Sequence, residues 1–240
     1  MNTVIFDLDG TLLPMDFDKF LKIYMHEISK KLSDLIEPEK TVQCIWKGTE
    51  MMIKNDGRET NETVFFRCFK DLVGEHYEEM QRRFDDFYRN EYKKARAATS
   101  QDQDMINAVH LLREKGYALV VATNPLFPEY ATHQRLEWAG FSTDEFEYIT
   151  NFEKNCSCKP NPLFFREVLK NIDKRADECL MVGNDVHEDL IASEVGIRTY
   201  LITNHMLNKY NKEIVADYIG NYEAFYHFVQ SLPVIGNTDR

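Results

Sequence analysis

The chain has 240 residues, 43% of them hydrophobic, which is enough for a sizeable core in one large domain or two small ones. Its formal net charge of −11 disfavours a nucleic-acid partner, because an acidic surface repels phosphates over the screening length. No apolar window reaches the roughly 18 residues of a membrane span, no leader pattern opens the chain, and five cysteines make no dense disulfide framework; the expectation is a cytoplasmic protein.

Thr3–Leu8 reads as a short, mostly apolar strand suited to burial on both faces of a parallel sheet, and a turn follows at Asp9–Thr11. From Phe17 the period becomes helical: Phe17, Leu21, Tyr24, Met25, Ile28, Leu32 and Leu35 recur at three- and four-residue steps until Pro38. Three more helical stripes follow, through Val42–Ile53, Val64–Val73 and Tyr77–Tyr88, with a turn at Asn55-Asp56-Gly57. Beyond Thr99 helices and strands alternate. Helices are expected at Gln103–Lys115, Phe127–Trp138, Pro162–Asn171, His187–Val195 and near Tyr222–Leu232. Strands are expected at Tyr117–Ala122, Phe146–Thr150, Cys179–Val182 and Arg198–Ile202.

This alternation predicts an α/β protein with a doubly wound, Rossmann-like parallel sheet. The helical block is too long for an ordinary crossover and reads as an inserted all-helical domain over 16–97, leaving 1–15 and 98–240 as the core.

Chemistry-bearing residues gather in loops that follow predicted strands, the edge where open α/β sheets bind ligands. In Asp7-Leu8-Asp9-Gly10-Thr11, the two aspartates point the same way from extended chain. They can flank a hard cation such as Mg²⁺, or one can attack while the other shuttles protons; Asp-Gly after a strand is also simply a turn. Thr123-Asn124 suits a phosphoryl oxygen or caps a helix. Lys159 can neutralise developing negative charge, although most lysines are solvated. Gly183-Asn184-Asp185-Val186-His187-Glu188-Asp189 is oxygen-rich and can complete a cation site or cap the next helix. Cys156 and Cys158 have the wrong spacing for a zinc knuckle, and the basic clusters Arg82-Arg83 and Lys93-Lys94 with Arg96 read as solvated faces.

Together these residues resemble the haloacid dehalogenase superfamily. Its first motif matches as Phe6-Asp7-Leu8-Asp9-Gly10-Thr11-Leu12, its second at Thr123, its third at Lys159 and its fourth around Asn184–Asp189. The resemblance implies that Asp7 attacks phosphorus to form an aspartyl-phosphate, while Asp9 protonates the leaving oxygen and then deprotonates water. Thr123 and Lys159 would hold phosphoryl oxygens. Mg²⁺ would bind the Asp7 side chain, the Asp9 carbonyl and Asn184 or Asp185, with Asp189 bracing the site. Gly10, Thr11 and Asn124 would surround the substrate, and Phe17 and Phe20 would reach it from the helical insert, which the family calls a C1 cap. The reading is a phosphatase of a small phosphorylated metabolite. A phosphosugar mutase of the same superfamily and a non-catalytic protein retaining the fold are the alternatives, and oligomeric state is not legible.

Overall fold

In a computed structural model, residues 1–236 are described. The opening apolar run forms β1 (Thr3–Phe6), buried at every position because it lies in the middle of the sheet. Its neighbours are β2 (Ala118–Val121) and β4 (Cys179–Gly183). Beyond them lie β3 (Tyr148–Ile149) on one side, and β5 (Arg198–Ile202) and β6 (Tyr218–Gly220) on the other. The order is β3-β2-β1-β4-β5-β6 and every pairing is parallel.

Alternation along the central strands feeds two cores. Val4, Phe6, Leu180 and Val182 face α5 (Gln103–Glu114) and α8 (Tyr222–Ser231), where Met105, Val109, Phe225 and Val229 are wholly buried. Ile5, Val120 and Met181 face α7 (Pro162–Asn171), through Phe164, Phe165 and Val168. Truncating one such ring, as in Phe225→Ala, removes about 3–5 kcal/mol of stability. The doubly wound arrangement therefore follows from strands that are apolar on both faces.

Between β1 and β2 the chain makes α1 (Phe17–Leu32), α2 (Pro38–Ile53), α3 (Asn61–Val73) and α4 (Tyr77–Asn90), then a 3₁₀ stretch at Tyr92–Ala98. Asp16 caps α1 by accepting from the Lys19 amide, and Phe20, Tyr24, Ile28 and Leu32 form its buried i,i+4 stripe. Thr60 caps α3 in the same way. The insert leaves and re-enters at one place: Asp16 N donates to Ala98 O (2.9 Å) and Ser100 N to Pro14 O (3.0 Å).

Three expectations shift. The helix assigned from Phe127 begins at Glu129 as α6 (Glu129–Ala139), because Pro128 occupies its N-cap. The helix expected at His187–Val195 is a 3₁₀ turn confined to Leu190–Val195, because Asp185 Oδ1 accepts from the His187 and Glu188 amides and holds the chain in a tight turn. β6 is an additional edge strand; three residues flanked by polar chain carry too little period-2 signal to be seen.

Candidate active site

Asp7 stands one residue beyond β1, and its amide still donates to Val182 O (2.9 Å), so its direction is fixed by the sheet. The next residues turn sharply: Leu13 N donates to Leu8 O (2.8 Å) and Gly10 N to Leu13 O (2.8 Å). Gly10 adopts φ +86°, and a Cβ there would overlap the Asn184 side chain. Glycine is thus required twice over, by conformation and by the close approach of the β4 loop. Tyr222 OH of α8 donates to Gly10 O (3.0 Å) and braces the turn from below.

Lys159 reaches this turn from the loop before α7. Its Nζ is 2.9 Å from Asp7 Oδ1 and 2.6 Å from Asp189 Oδ1, and the side chain is only 1% exposed. Its backbone is fastened by Asn124, whose Oδ1 accepts from Lys159 N (3.2 Å) and whose Nδ2 donates to Lys159 O (3.2 Å) and Glu188 Oε2 (2.9 Å). The loops after β2 and β4 are thereby tied to the lysine loop. Thr123 follows Ala122, whose amide donates to Phe6 O (2.7 Å), so it sits beside the Asp7 loop; it is 3% exposed, and its carbonyl accepts from Thr150 Oγ1 (2.6 Å). Thr11 Oγ1 donates to Asn184 Oδ1 (2.9 Å) and lies 3.4 Å from Asp7 Oδ2, which joins the β4 loop to the nucleophile candidate.

The electrostatics follow from burial. Burial pushes the Asp7 carboxyl up, to about 8, against the pull of the Lys159 ammonium, and Asp189 and Asp9 add to the rise. Burial alone would lower the Lys159 pKa, but Asp189 and Asp7 outweigh it and hold the lysine charged. We place the proton on Lys159, because two carboxylates share it. Asp9 is also raised by burial, and Arg135 and Lys159 oppose the rise. Glu188 is pushed up to about 7, again chiefly by burial. Five carboxylates (Asp7, Asp9, Asp185, Glu188 and Asp189) thus face two cations, Lys159 and Arg135.

Arg135 is the residue that sequence reasoning missed. It projects from α6, is 1% exposed, and places Nη1 3.3 Å from Asp9 Oδ2 and its guanidinium 4.5 Å from the Phe127 ring centroid. Asp9 Oδ1, Arg135 Nε and the Tyr92 hydroxyl are buried without hydrogen-bond partners. A mid-helix arginine reads as a surface charge. The available signal was the composition of α6, where Ala131, Thr132, Leu136, Trp138 and Ala139 are all buried as well, so the helix has little solvent face.

The structure brings Asp7, Asp9, Gly10, Thr11, Thr123, Asn124, Lys159 and Asn184 to one sheet edge. Asp9, Gly10 and Asn184, together with Phe17 and the loop at His205, line a cleft of about 270 Å³. Phe20 is turned away from the site, and Asp185 is engaged through one of its two oxygens. Phe20 points inward, 1% exposed against Tyr24, Tyr92 and Phe127, because it lies on the buried stripe of α1. Asp185 spends Oδ1 on the turn amides, whereas Asn184 carries the contact to Thr11. Among the described residues no three His, Cys, Asp or Glu side chains cluster as a metal-binding group.

The chain belongs to the haloacid dehalogenase-like hydrolase family, whose sequence profile matches residues 1–196. Among its relatives, pyrophosphatase PpaX of Bacillus mycoides (strain KBAB4) is 21% identical over 205 residues, 85% of this chain and 84% of that protein. Two solved structures share the fold with a TM-score of 0.62. One is a HAD phosphatase from Thermococcus onnurineus, 21% identical, covering 98% of this chain and 100% of that one. The other is a 2-haloacid dehalogenase from Pseudomonas syringae pv. tomato DC3000, 18% identical, covering 96% and 99%. Phosphatase and dehalogenase fit equally well, so the reaction has to be argued from the site.

Proposed function

We propose that this protein is a Mg²⁺-dependent phosphohydrolase that acts on a small phosphorylated metabolite through an aspartyl-phosphate on Asp7. The observation that carries the reading is the buried Asp7 carboxylate, fixed by β1, bonded to Lys159 and followed two residues later by a second acid with an unpartnered oxygen.

The residues fit a hard divalent cation. Asp7 Oδ2 and Asn184 Oδ1 lie on either side of Thr11 Oγ1 (3.4 and 2.9 Å), and carboxylates outnumber cations around them. Mg²⁺ often takes only one or two carboxylates together with substrate phosphate. Asp7, Asp9 and Asn184 would hold the ion, which when bound supplies charge neutralisation to phosphoryl oxygens.

The remaining work falls to side chains. Asp7 forms a bond to phosphorus as the bond from phosphorus to the leaving oxygen breaks, and Asp9 gives that oxygen a proton. Asp9 then takes a proton from the water that attacks the phosphorus of the aspartyl-phosphate, releasing phosphate and restoring Asp7. Lys159 and Thr123 bind phosphoryl oxygens, and their fixed positions stabilise charge without reorganisation. Asn124 is a positioning residue, acting through the Lys159 backbone. The insert over 16–97 serves as a cap that excludes bulk water. No helix among the described residues is long and apolar enough to cross a membrane, and five free cysteines suit a reducing, cytoplasmic setting.

Asp7→Asn tests the reading. It should abolish Mg²⁺-dependent phosphate release from p-nitrophenyl phosphate while leaving the circular dichroism spectrum unchanged; equal activity in variant and wild type contradicts it.

A further inference from the structure

A second cavity, of about 100 Å³, lies between the helical insert and the loops after β2 and β3. Phe17, Leu21, Trp46 and Phe66 line it from the insert, and Leu126 and Phe127 from the core. It adjoins the chemistry at two points. Phe17 also lines the cleft that holds Asp9, Gly10 and Asn184. The Phe127 ring lies under Arg135, which pairs with Asp9. A group esterified to a phosphate at Asp7 would therefore extend past Asp9 toward this space.

Its chemistry is one-sided. No charged side chain lines it. The hydroxyls that do are already occupied: Tyr24 and Tyr88 bond each other (2.9 Å), and Thr49 donates to Ile45 O (2.9 Å). Arg135, which packs on Phe127, is committed to Asp9. An anionic leaving group, such as the second phosphate of pyrophosphate, would lose its hydration there and meet no donor. An apolar group would instead gain by leaving water. At roughly 10–15 Å³ per water-sized position, the volume holds one ring or a short branched chain.

We infer that the substrate is a phosphate monoester whose leaving group is uncharged and apolar, a single ring or short hydrocarbon chain seated in this aromatic cavity. The inference rests on the phosphohydrolase reading and narrows it to one substrate class. It also separates this chain from its pyrophosphatase relatives.

The test is steady-state phosphate release by the full chain with Mg²⁺ from 2-phenylethyl phosphate, glycerol phosphate, pyrophosphate and acetyl phosphate. The first two have comparable alcohol leaving groups, so their difference reports the cavity. The value of kcat/KM for 2-phenylethyl phosphate should exceed that for glycerol phosphate and pyrophosphate by about thirtyfold, the scale of burying one ring. Trp46 is 48% exposed at the rim, so its truncation spares the fold. Trp46→Ala should lower the ratio of kcat/KM for 2-phenylethyl phosphate to that for acetyl phosphate by about tenfold, mainly through KM. Faster turnover of glycerol phosphate or pyrophosphate, or an unchanged ratio in Trp46→Ala, overturns the inference and leaves the phosphohydrolase reading standing. No release from any of the four, acetyl phosphate included, overturns both.

Discussion

Lys159 neutralises Asp7 and Asp189 in a buried site, and in the proposed reaction it would also meet a phosphoryl group. Removing one member of a buried ion cluster strands the others, at a cost of about 3–5 kcal/mol. Lys159→Met should therefore lower stability by that amount as well as activity, and Lys159→Met with Asp189→Asn should recover part of the stability and none of the activity; chemical denaturation beside phosphate release separates the two. Glu153 offers a test away from the reacting atoms. It accepts from the Glu129 amide (2.9 and 3.1 Å) at the start of α6, and burial pushes its carboxyl up to about 7 from 4.5. Its folded-state value lies above the unfolded one, so its contribution to stability is complete below pH 4.5 and is lost as pH rises through 7. Between pH 5 and 8 the wild type should lose roughly 1–2 kcal/mol relative to Glu153→Gln, a figure reduced for the partial exposure of the carboxyl. Parallel stability curves for the two proteins would show that Glu153 is not perturbed.

At the level of elements, the insert is fastened to the loops after β2 and β3 by the first residue of α3. Asn61 Nδ2 lies 3.3 Å from Pro125 O, Ser157 O and Cys158 Sγ, its amide donates to Asn155 O (2.8 Å), and Asn55 Nδ2 donates to its Oδ1 (2.8 Å). Asn61→Ala should cost about 1–3 kcal/mol, because buried carbonyls lose their donor. It should also speed amide hydrogen exchange at residues 125–127 and 152–158; exchange that rises uniformly over the chain would mean a general rather than a local role. Elements of this kind mark where sequence reading stops. The central strands were legible because Val4, Ile5, Leu180 and Met181 are apolar without interruption. The insert was legible because Phe20, Tyr24 and Ile28 repeat at helical spacing. The gathering of Asp7, Thr123 and Lys159 followed from their places after strands. Asn61 and Arg135 were not legible: each is polar and isolated in sequence, and the partners that give it its role, Pro125 and Ser157 for Asn61 and Asp9 for Arg135, are remote in the chain. Phe20 failed for a related reason, since nearness to Asp7 in sequence says nothing of which face of α1 turns inward.

For the whole molecule, the dominant feature is a surplus of carboxylates gathered at the edge of an already acidic chain. Mutual repulsion there destabilises the folded state, and a divalent cation bound there would offset it. At ten times its dissociation constant Mg²⁺ should stabilise the protein by about 1.4 kcal/mol, raising the melting temperature by about 3–6 °C, and Asp7→Asn should weaken the response. An identical rise in wild type and variant would place the ion elsewhere. The central proposal is that Asp7 becomes phosphorylated during turnover. Acid quenching in the steady state, borohydride reduction of the acyl phosphate and mass spectrometry of the N-terminal peptide test this directly. The account predicts homoserine in place of Asp7 only when substrate and Mg²⁺ are both present; phosphate release with an unmodified Asp7 would contradict it.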